Sequence, residues 1–156
     1  MKQDHVIGKI KLKDLKEALA LVRRVFLEYE APDYNDEGIT EFMKFIEYTA
    51  IKQELIKGRF RMWTCVDGEK IVGVLASRSP CHISLLFVDG AHQRKGTAKA
   101  LLDKLIDFYK ANYDYREITV NSSPYAVNIY HKLGFIDTDV EQTVNGIRFV
   151  PMKRPL

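Results

Sequence analysis

Cysteine is scarce in this chain, and long apolar runs are missing. The sequence holds two cysteines, Cys65 and Cys81, which are too few for a disulfide framework and lack metal-motif spacing. We therefore expect a reducing compartment and no metal site. The first five residues, MKQDH, have no apolar signal-peptide core, and no apolar run approaches membrane-spanning length. Together these absences favour a cytoplasmic protein without a membrane partner.

The chain also lacks an excess of charge of one sign. It has 24 basic and 21 acidic residues, a net charge of +3, and no basic run dominates. We therefore expect no nucleic-acid partner, because such proteins concentrate lysine and arginine on one surface. No tract rich in proline, glycine and serine marks a linker, so residues 1–156 are predicted to form a single domain.

Hydrophobic periodicity divides the chain into short strands and amphipathic helices. Strands are predicted at residues 6–11, 59–66, 70–78, 82–88, 117–121, 135–139 and 142–152. Helices are predicted at residues 12–29, at 41–56, from 98 to the 112–115 segment, and at 123–132. This order predicts an α/β (α+β) fold, in which a mixed, largely antiparallel central sheet of about seven strands is flanked by helices.

Two details of these elements are also predicted. Asp67-Gly68 is a strong hairpin signal, and Asn145-Gly146 is expected to bend the last strand. Thr40 is the expected N-cap of the second helix. The expected buried face of that helix consists of Phe42, Phe45, Ile46, Thr49 and Ala50.

The stretch from His82 to Tyr109 joins a predicted strand to a predicted helix through a turn that contains glycine. Such a turn directs free backbone N–H groups at one point, where the helix dipole adds positive potential. Gly96 lets an anion approach the backbone. The P-loop and dinucleotide motifs do not fit, because the order is Lys95-Gly96-Thr97 and only Gly90 and Gly96 are present. The turn therefore predicts an anion site of another kind.

Two segments carry a resemblance to a known family. The turn reads Gln93-Arg94-Lys95-Gly96-Thr97-Ala98 and resembles the Gln/Arg-x-x-Gly-x-Gly/Ala signature of the GNAT acetyltransferase superfamily. Residues 123–135 carry Ser123, Ala126, Tyr130, Gly134 and Phe135 at the spacing of that family's Asn-x-x-Ala-x-x-x-Tyr-x-x-x-Gly-Phe. The predicted order of helices and strands also agrees with that superfamily over nearly the whole chain.

The resemblance implies an N-acetyltransferase that transfers acetyl from acetyl-CoA to an amine by direct attack, through a tetrahedral intermediate. It implies that the backbone of Leu86 and Val88 pairs with the pantetheine amides and that the N–H groups of residues 94–99 hold the pyrophosphate. The residues expected to bind the cofactor are Leu86, Phe87, Val88, Gln93, Arg94, Lys95, Gly96, Thr97, Ala98, Lys99, Ser123, Ala126, Asn128 and Tyr130. Gly90 and Ser123 stand where many members have proline and asparagine, which leaves the asparagine's hydrogen bond to the cofactor open.

Three residues are expected to act in the chemistry. An alkylamine with a pKa near 10.4 is neutral at pH 7 in only about one molecule in 2,500, so a base is needed. His82 corresponds to the position of the base in related members, with an ordered water or an acid from residues 28–37 as alternatives. The Leu86 backbone N–H is the expected donor to the developing oxyanion. Tyr130 matches the tyrosine that donates a hydrogen bond to the leaving thiolate.

The acceptor is expected to be a small-molecule or peptide amine. Residues 28–37 are acidic and match the region that lines the substrate cleft in related proteins, with Glu30, Asp33 and Tyr34 as the candidate substrate-binding residues. An acyltransferase with a longer acyl donor and a non-catalytic acetyl-CoA sensor remain as alternatives. Related proteins are often dimers, which leaves a homodimer open.

Overall fold

Eight strands form the sheet at the centre of the protein, in a computed structural model that describes residues 5–156. The strands are β1 (His5–Lys9), β2 (Phe60–Asp67), β3 (Lys70–Arg78), β4 (His82–Val88), β5 (Glu117–Ser122), β6 (Ile136–Asp137), β7 (Gln142–Val144) and β8 (Ile147–Pro155). Their order is β1-β2-β3-β4-β5-β8-β6, and β7 pairs with β8. All neighbours are antiparallel except β4 and β5, which run parallel. The mixed, largely antiparallel sheet is therefore confirmed.

Five α-helices cover the two faces of this sheet within the described residues. They are α1 (Leu15–Val25), α2 (Asp36–Phe45), α3 (Tyr48–Ile56), α4 (Thr97–Asn112) and α5 (Val127–Lys132). Helices α1 and α3 form one core with strand residues such as Val74, and α4 and α5 form another with residues such as Leu75. Val74 and Leu75 pack into different cores because side chains of neighbouring strand residues point to opposite faces of the sheet. Every helix between residues 5 and 156 is too short or too polar to cross a lipid bilayer.

The start of the chain agrees with the prediction only in part. Residues 1–4, which show no signal-peptide core in the sequence, lie outside the described residues. The single helix predicted over residues 12–29 is a 3₁₀ turn at Leu12–Asp14, then α1, then a π-helical turn at Phe26–Glu30. A π turn accommodates an extra residue and so rotates the side chains that follow it. In this protein it carries Glu30 to the sheet side of the segment, where it lines a cavity.

The second predicted helix, over residues 41–56, is wrong as a single element. The side chain of Asn35, not Thr40, caps α2 and accepts a hydrogen bond from the Gly38 N–H at 2.9 Å. The side chain of Glu47 starts α3 by accepting from the N–H groups of Thr49 and Ala50, at 3.1 and 2.8 Å. Of the five residues expected on the buried face, Ile46 is buried and Phe42 is partly buried, whereas Phe45, Thr49 and Ala50 are exposed. The Glu47 cap divides the predicted helix because it satisfies N–H groups that a continuous helix would use, and the Asn35 cap starts α2 before the predicted start at residue 41.

Strands β7 and β8 form a hairpin where the sequence predicts one bent strand over residues 142–152. Asn145 and Gly146 have φ values of +51° and +79°, as a tight two-residue hairpin turn requires. This turn lies against the first turn of α2, so a Cβ at Gly38 would overlap the carbonyl oxygen of Gly146. The close approach of these two backbones requires glycine at position 38.

We expect Gly38→Ala to destabilise the protein by about 1–3 kcal/mol, because overpacking outweighs the better helix propensity of alanine. Gly8→Ala is the matched control, since a Cβ there meets nothing within 4 Å. It should change stability by no more than about 0.5 kcal/mol. Urea unfolding of both variants measures the difference. A Gly38→Ala protein as stable as the parent would contradict the contact.

Candidate active site

Strands β4 and β5 separate soon after they meet. Their parallel pairing consists of His82 with Thr119 and Ile83 with Val120. From Leu85 to Val88, β4 remains paired with β3 on one side, and no other described strand pairs with it on the β5 side. An unpaired strand edge offers N–H and C=O groups to an extended ligand. The open edge is therefore a site at which the amides of a cofactor can extend the sheet.

The turn after β4 ends in a helix N-terminus that is open to an anion. Gly96 has φ of +84° and precedes α4, whose first intrahelical bond runs from the Ala100 N–H to the Gly96 carbonyl at 2.9 Å. The N–H groups of Thr97, Ala98 and Lys99 therefore have no acceptor within the helix. A Cβ at Gly96 would meet nothing within 4 Å, so open space faces the backbone there. These features fit the diphosphate of coenzyme A.

The side chains of this turn have separate tasks. Arg94 and Lys95 are exposed and add positive charge around the open N–H groups. Gln93 donates from Nε2 to the carbonyl oxygen of Val88 at 3.0 Å. The Val88 carbonyl is thus engaged within the chain, which leaves Leu86 as the more accessible of the two residues predicted to pair with pantetheine.

A cavity of about 520 Å³ opens beside the separated strands. That volume lies in the range of small-molecule sites. Of the residues predicted from the sequence for catalysis or binding, the cavity lining contains Glu30, Tyr34, His82, Leu86, Phe87, Ser123, Ala126 and Tyr130. Asp33 and Asn128 are exposed and do not line it. Val88 and residues 93–99 also lie outside the cavity lining, at the end of β4, in the turn and at the start of α4. The cavity therefore brings together eight of the eighteen predicted site residues.

Glu30 is the carboxyl group with the most altered acidity in the cavity. Burial raises its pKa to about 7, the Ser123 hydroxyl opposes this by hydrogen bonding to the carboxylate, and the charge of Asp33 adds to the rise. Ser123 also accepts from the Ala126 N–H at 3.3 Å as the cap of the turn before α5. A carboxyl group with this pKa exchanges protons near neutral pH.

His82 lines the same cavity, but its pKa is lowered, whereas that of Glu30 is raised. Its Nδ1 is 2.8 Å from the Thr119 hydroxyl oxygen on β5. Burial, with a smaller effect from the positive charge of Arg78, lowers the pKa of His82 to about 4. The ring is therefore neutral at pH 7, but it is a weak proton acceptor.

The tyrosines of the cavity are held in their protonated form. Burial, with the charge of Glu30 as the second cause, raises the pKa of Tyr130, whose ring packs edge-on against Phe135 at 5.3 Å between centroids. Burial likewise raises the pKa of Tyr34, whose hydroxyl donates to the Arg148 carbonyl at 3.1 Å. Both hydroxyls are consequently hydrogen-bond donors across the physiological pH range.

Sequence reasoning missed Ser84 as a functional candidate. Its Oγ is buried in the cavity lining and has no hydrogen-bond partner among the described residues. A buried hydroxyl without a partner costs stability, so it points to a ligand that supplies the missing bond. Strand alternation could not have identified it, because Ser84 is the residue that the pairing of β4 with β3 skips between Ile83 and Leu85.

The fold is similar to that of solved acetyltransferases. The PaiA N-acetyltransferase of Thermoplasma acidophilum, in complex with coenzyme A, matches with a TM-score of 0.81 and 16% identity, covering 100% of both chains. An aminoglycoside 6'-N-acetyltransferase complexed with coenzyme A matches with a TM-score of 0.70 and 12% identity, covering 96% of each chain. At such low identity these similarities establish the fold.

Sequence comparison establishes the family. The uncharacterized N-acetyltransferase YafP of Escherichia coli (strain K12) is 28% identical over 122 residues, which are 78% of this chain and 75% of YafP. The family model for the acetyltransferase (GNAT) domain matches residues 30–156. The chain therefore belongs to the GNAT acetyltransferase family, as an N-acetyltransferase that depends on acetyl-CoA.

Proposed function

We propose that this enzyme acetylates a small amine with an apolar body, and that Glu30 accepts the proton which the amine releases. Acetyl-CoA supplies an activated thioester carbonyl, which the amine attacks directly through a tetrahedral intermediate. The observation that carries the proposal is the raised pKa of Glu30 in the cavity beside the open edge of β4.

The cofactor site is assigned to the open edge and the turn that follows it. The Leu86 backbone is proposed to pair with pantetheine, and the N–H groups of Thr97 to Lys99 are proposed to hold the diphosphate. The Ser123 side chain already forms hydrogen bonds with the Ala126 N–H and with the Glu30 carboxylate. We therefore propose that it adjusts the pKa of Glu30 and does not replace the cofactor contact of the family's asparagine.

Glu30 suits the base role better than His82. A group with a pKa of about 7 is ionised in about half of the molecules at pH 7 and still holds a proton well. His82, with a pKa of about 4, is neutral but about three units weaker as a base. We therefore propose Glu30, an acid within residues 28–37, as the base that accepts the proton. His82 is proposed to be a positioning residue, held by its contact with Thr119.

Tyr130 and Leu86 are proposed to stabilise the charge that develops on the reacting atoms. The raised pKa of Tyr130 keeps its proton on the hydroxyl, so it donates a hydrogen bond to the leaving sulfur without complete proton transfer. The Leu86 backbone N–H remains the proposed donor to the carbonyl oxygen. Neither role requires these groups to change their protonation state.

The lining of the cavity favours an amine with an apolar or aromatic body. Its lining contains two acidic residues, Glu30 and Glu41, and two basic residues, Lys44 and Arg78, so it has no excess of negative charge. Besides Tyr130, its phenylalanine and tyrosine side chains are Tyr34, Phe42, Phe45, Phe87 and Phe149. A polycation would gain little from balanced charge, whereas an arylalkylamine can bury its ring among these side chains.

A panel of amines tests this function. With acetyl-CoA, we expect phenethylamine-type acceptors to give a kcat/KM at least about tenfold above that of spermidine, since roughly 1.4 kcal/mol of ring burial suffices. Release of free thiol measures turnover, and mass spectrometry identifies the acetylated amine. A preference for spermidine would contradict the acceptor class. Coenzyme A binding without thiol release for any amine would indicate a sensor and overturn the catalytic proposal.

Glu30→Gln should lower kcat by about 10²–10⁴-fold, the usual cost of losing a general base. In the parent enzyme kcat/KM should rise with pH up to about 7 and then level off, because the ionised carboxylate is the active form. The variant should lose this inflection. Stopped assays between pH 5.5 and 8.5, an interval of about one and a half units on either side of that pKa, record both profiles.

Glu28→Gln is the matched control, since Glu28 is exposed, lies outside the cavity and loses the same charge. Its profile should equal that of the parent.

The folded state raises the pKa of Glu30 above the usual 4.5, so ionisation of Glu30 weakens folding as pH rises from about 4.5 through 7. Glu30→Gln should therefore unfold at the same or a higher urea concentration at pH 8. If the kcat/KM profile of Glu30→Gln kept the inflection near pH 7, Glu30 would not be the base.

Gly96→Ala should weaken coenzyme A binding by about tenfold or more, because its methyl group enters the space assigned to the diphosphate. Gly58→Ala is the matched control. Gly58 has φ of +73°, and a Cβ there also meets nothing within 4 Å, so the backbone strain is comparable. Calorimetric titration should show normal affinity in Gly58→Ala. Equal affinity in the two variants would place the diphosphate elsewhere.

A further inference from the structure

Two histidines and an aspartate meet at the turn that follows β4. His5 lies at the start of β1, Asp67 at the end of β2, and His92 within the turn. His5 Nε2 lies 3.3 Å and His92 Nε2 lies 3.1 Å from Asp67 Oδ2. One ligand atom from each of the three lies within 4.8 Å of the others. We call these residues the His5–Asp67–His92 cluster.

His5 is buried without a satisfied ring nitrogen. Its side chain is 4% exposed, and neither Nδ1 nor Nε2 has a hydrogen-bond partner among the described residues. The 3.3 Å approach of Nε2 to Asp67 is close, but it is not aligned as a hydrogen bond. A buried polar nitrogen in this state points to a ligand that lies off the line between the two atoms.

His92 lies between two carboxylates. Its Nδ1 is 3.0 Å from Asp89 Oδ2, and its Nε2 is 3.1 Å from Asp67 Oδ2. Asp89 also accepts from Arg24 Nη1 at 2.7 Å through its other oxygen. When Nδ1–H donates to Asp89, the Nε2 lone pair of His92 is directed towards Asp67 Oδ2, and a cation bound between these two atoms makes their approach favourable.

We propose that the His5–Asp67–His92 cluster binds a divalent transition-metal ion of the Zn²⁺ class. Two imidazole nitrogens and one carboxylate oxygen suit zinc, which takes a water as its fourth ligand. In a tetrahedral site with bonds near 2.0–2.1 Å, neighbouring ligand atoms are about 3.3–3.4 Å apart. The separations of 3.3 and 3.1 Å at Asp67 Oδ2 are close to this value.

The surroundings supply the remaining features of a metal site. Asp89 Oδ2 contacts His92 Nδ1, so that Nε2 is the ring nitrogen directed at the proposed ion. This is the carboxylate–histidine–metal arrangement that orients ligating imidazoles. Asp67 and His92 are 28% and 19% exposed in their side chains, so the cluster is accessible to a hydrated ion. The bound ion would join three segments distant in sequence, and one of them carries the turn that leads into α4.

The sequence could not predict this site. Metal motifs are recognised when ligands recur at short fixed spacings, and these three come from separate strands and a turn. The expectation of no metal considered cysteine spacing, which is irrelevant to a site built from histidine and aspartate by tertiary contacts. The proposal therefore replaces that expectation.

Co²⁺ titration of the purified full chain tests the proposal. We expect visible d–d absorption typical of tetrahedral cobalt, saturation at one ion per chain, and displacement of Co²⁺ by Zn²⁺. Zn²⁺ should also raise the unfolding temperature, because it binds the folded state. If His92 is instead an imidazolium that bridges the two aspartates, neither cobalt absorption nor zinc stabilisation will be observed, and the proposal fails.

Variants locate the ion. His5→Ala should weaken Zn²⁺ binding by about 100-fold or more, at least the effect of losing an outer-shell partner. His131→Ala is the matched control, since His131 is an exposed histidine that pairs with Asp137 at 2.7 Å. It should bind Zn²⁺ like the parent. Asp67→Asn gives a second ligand variant, and circular dichroism verifies that each protein folds. Unchanged Zn²⁺ affinity in a folded His5→Ala protein would overturn the site, whatever the acetyltransferase assays show.

Discussion

The separation of β4 from β5 after Ile83 and Val120 is the constraint on which the site depends. Up to that point the parallel pairing satisfies the backbone of both strands. Beyond it, β5 continues in pairing with β8, and β4 keeps only its β3 neighbour among the described strands. The same divergence creates the open edge to which we assign the cofactor and the cavity to which we assign the acceptor. Backbone hydrogen bonds withheld from the sheet are thus available to a ligand.

The cavity wall opposite this edge depends on the connection between α2 and the C-terminal hairpin. Tyr34 donates to the Arg148 carbonyl, and Arg148 donates from Nη1 to the Asp33 carbonyl at 2.8 Å. Gly38 allows the hairpin turn to approach α2. These contacts hold the segment that carries Glu30, so its carboxyl group stays partly buried in the cavity. The altered acidity of Glu30 is therefore a consequence of tertiary packing rather than of its local sequence.

The bounds predicted for β3 and β4 agree with the structure because each strand is a short, mainly apolar run between strong turn signals. The acceptor side was predicted less well. The cap formed by Glu47 divides a helix that periodicity alone joins, and the cap formed by Asn35 starts α2 before the predicted start. Periodicity also could not separate Glu30 from Asp33. The π-helical turn that ends at Glu30 carries one acid into the cavity and leaves the next exposed, and it depends on packing that a single sequence does not display.

Asp89 links the two halves of the site. Its Oδ1 accepts from Arg24 on α1 at 2.7 Å, its Oδ2 lies beside His92, and its N–H donates to the Val72 carbonyl at 2.8 Å. Helix α1 leads into the π turn that ends at Glu30, and the turn after Asp89 leads into α4. One buried carboxylate thus connects the segment that carries the proposed base with the segment that is proposed to hold the diphosphate. Since a buried charge is costly without its partners, these segments keep their relative position as long as Arg24 and His92 remain paired with Asp89.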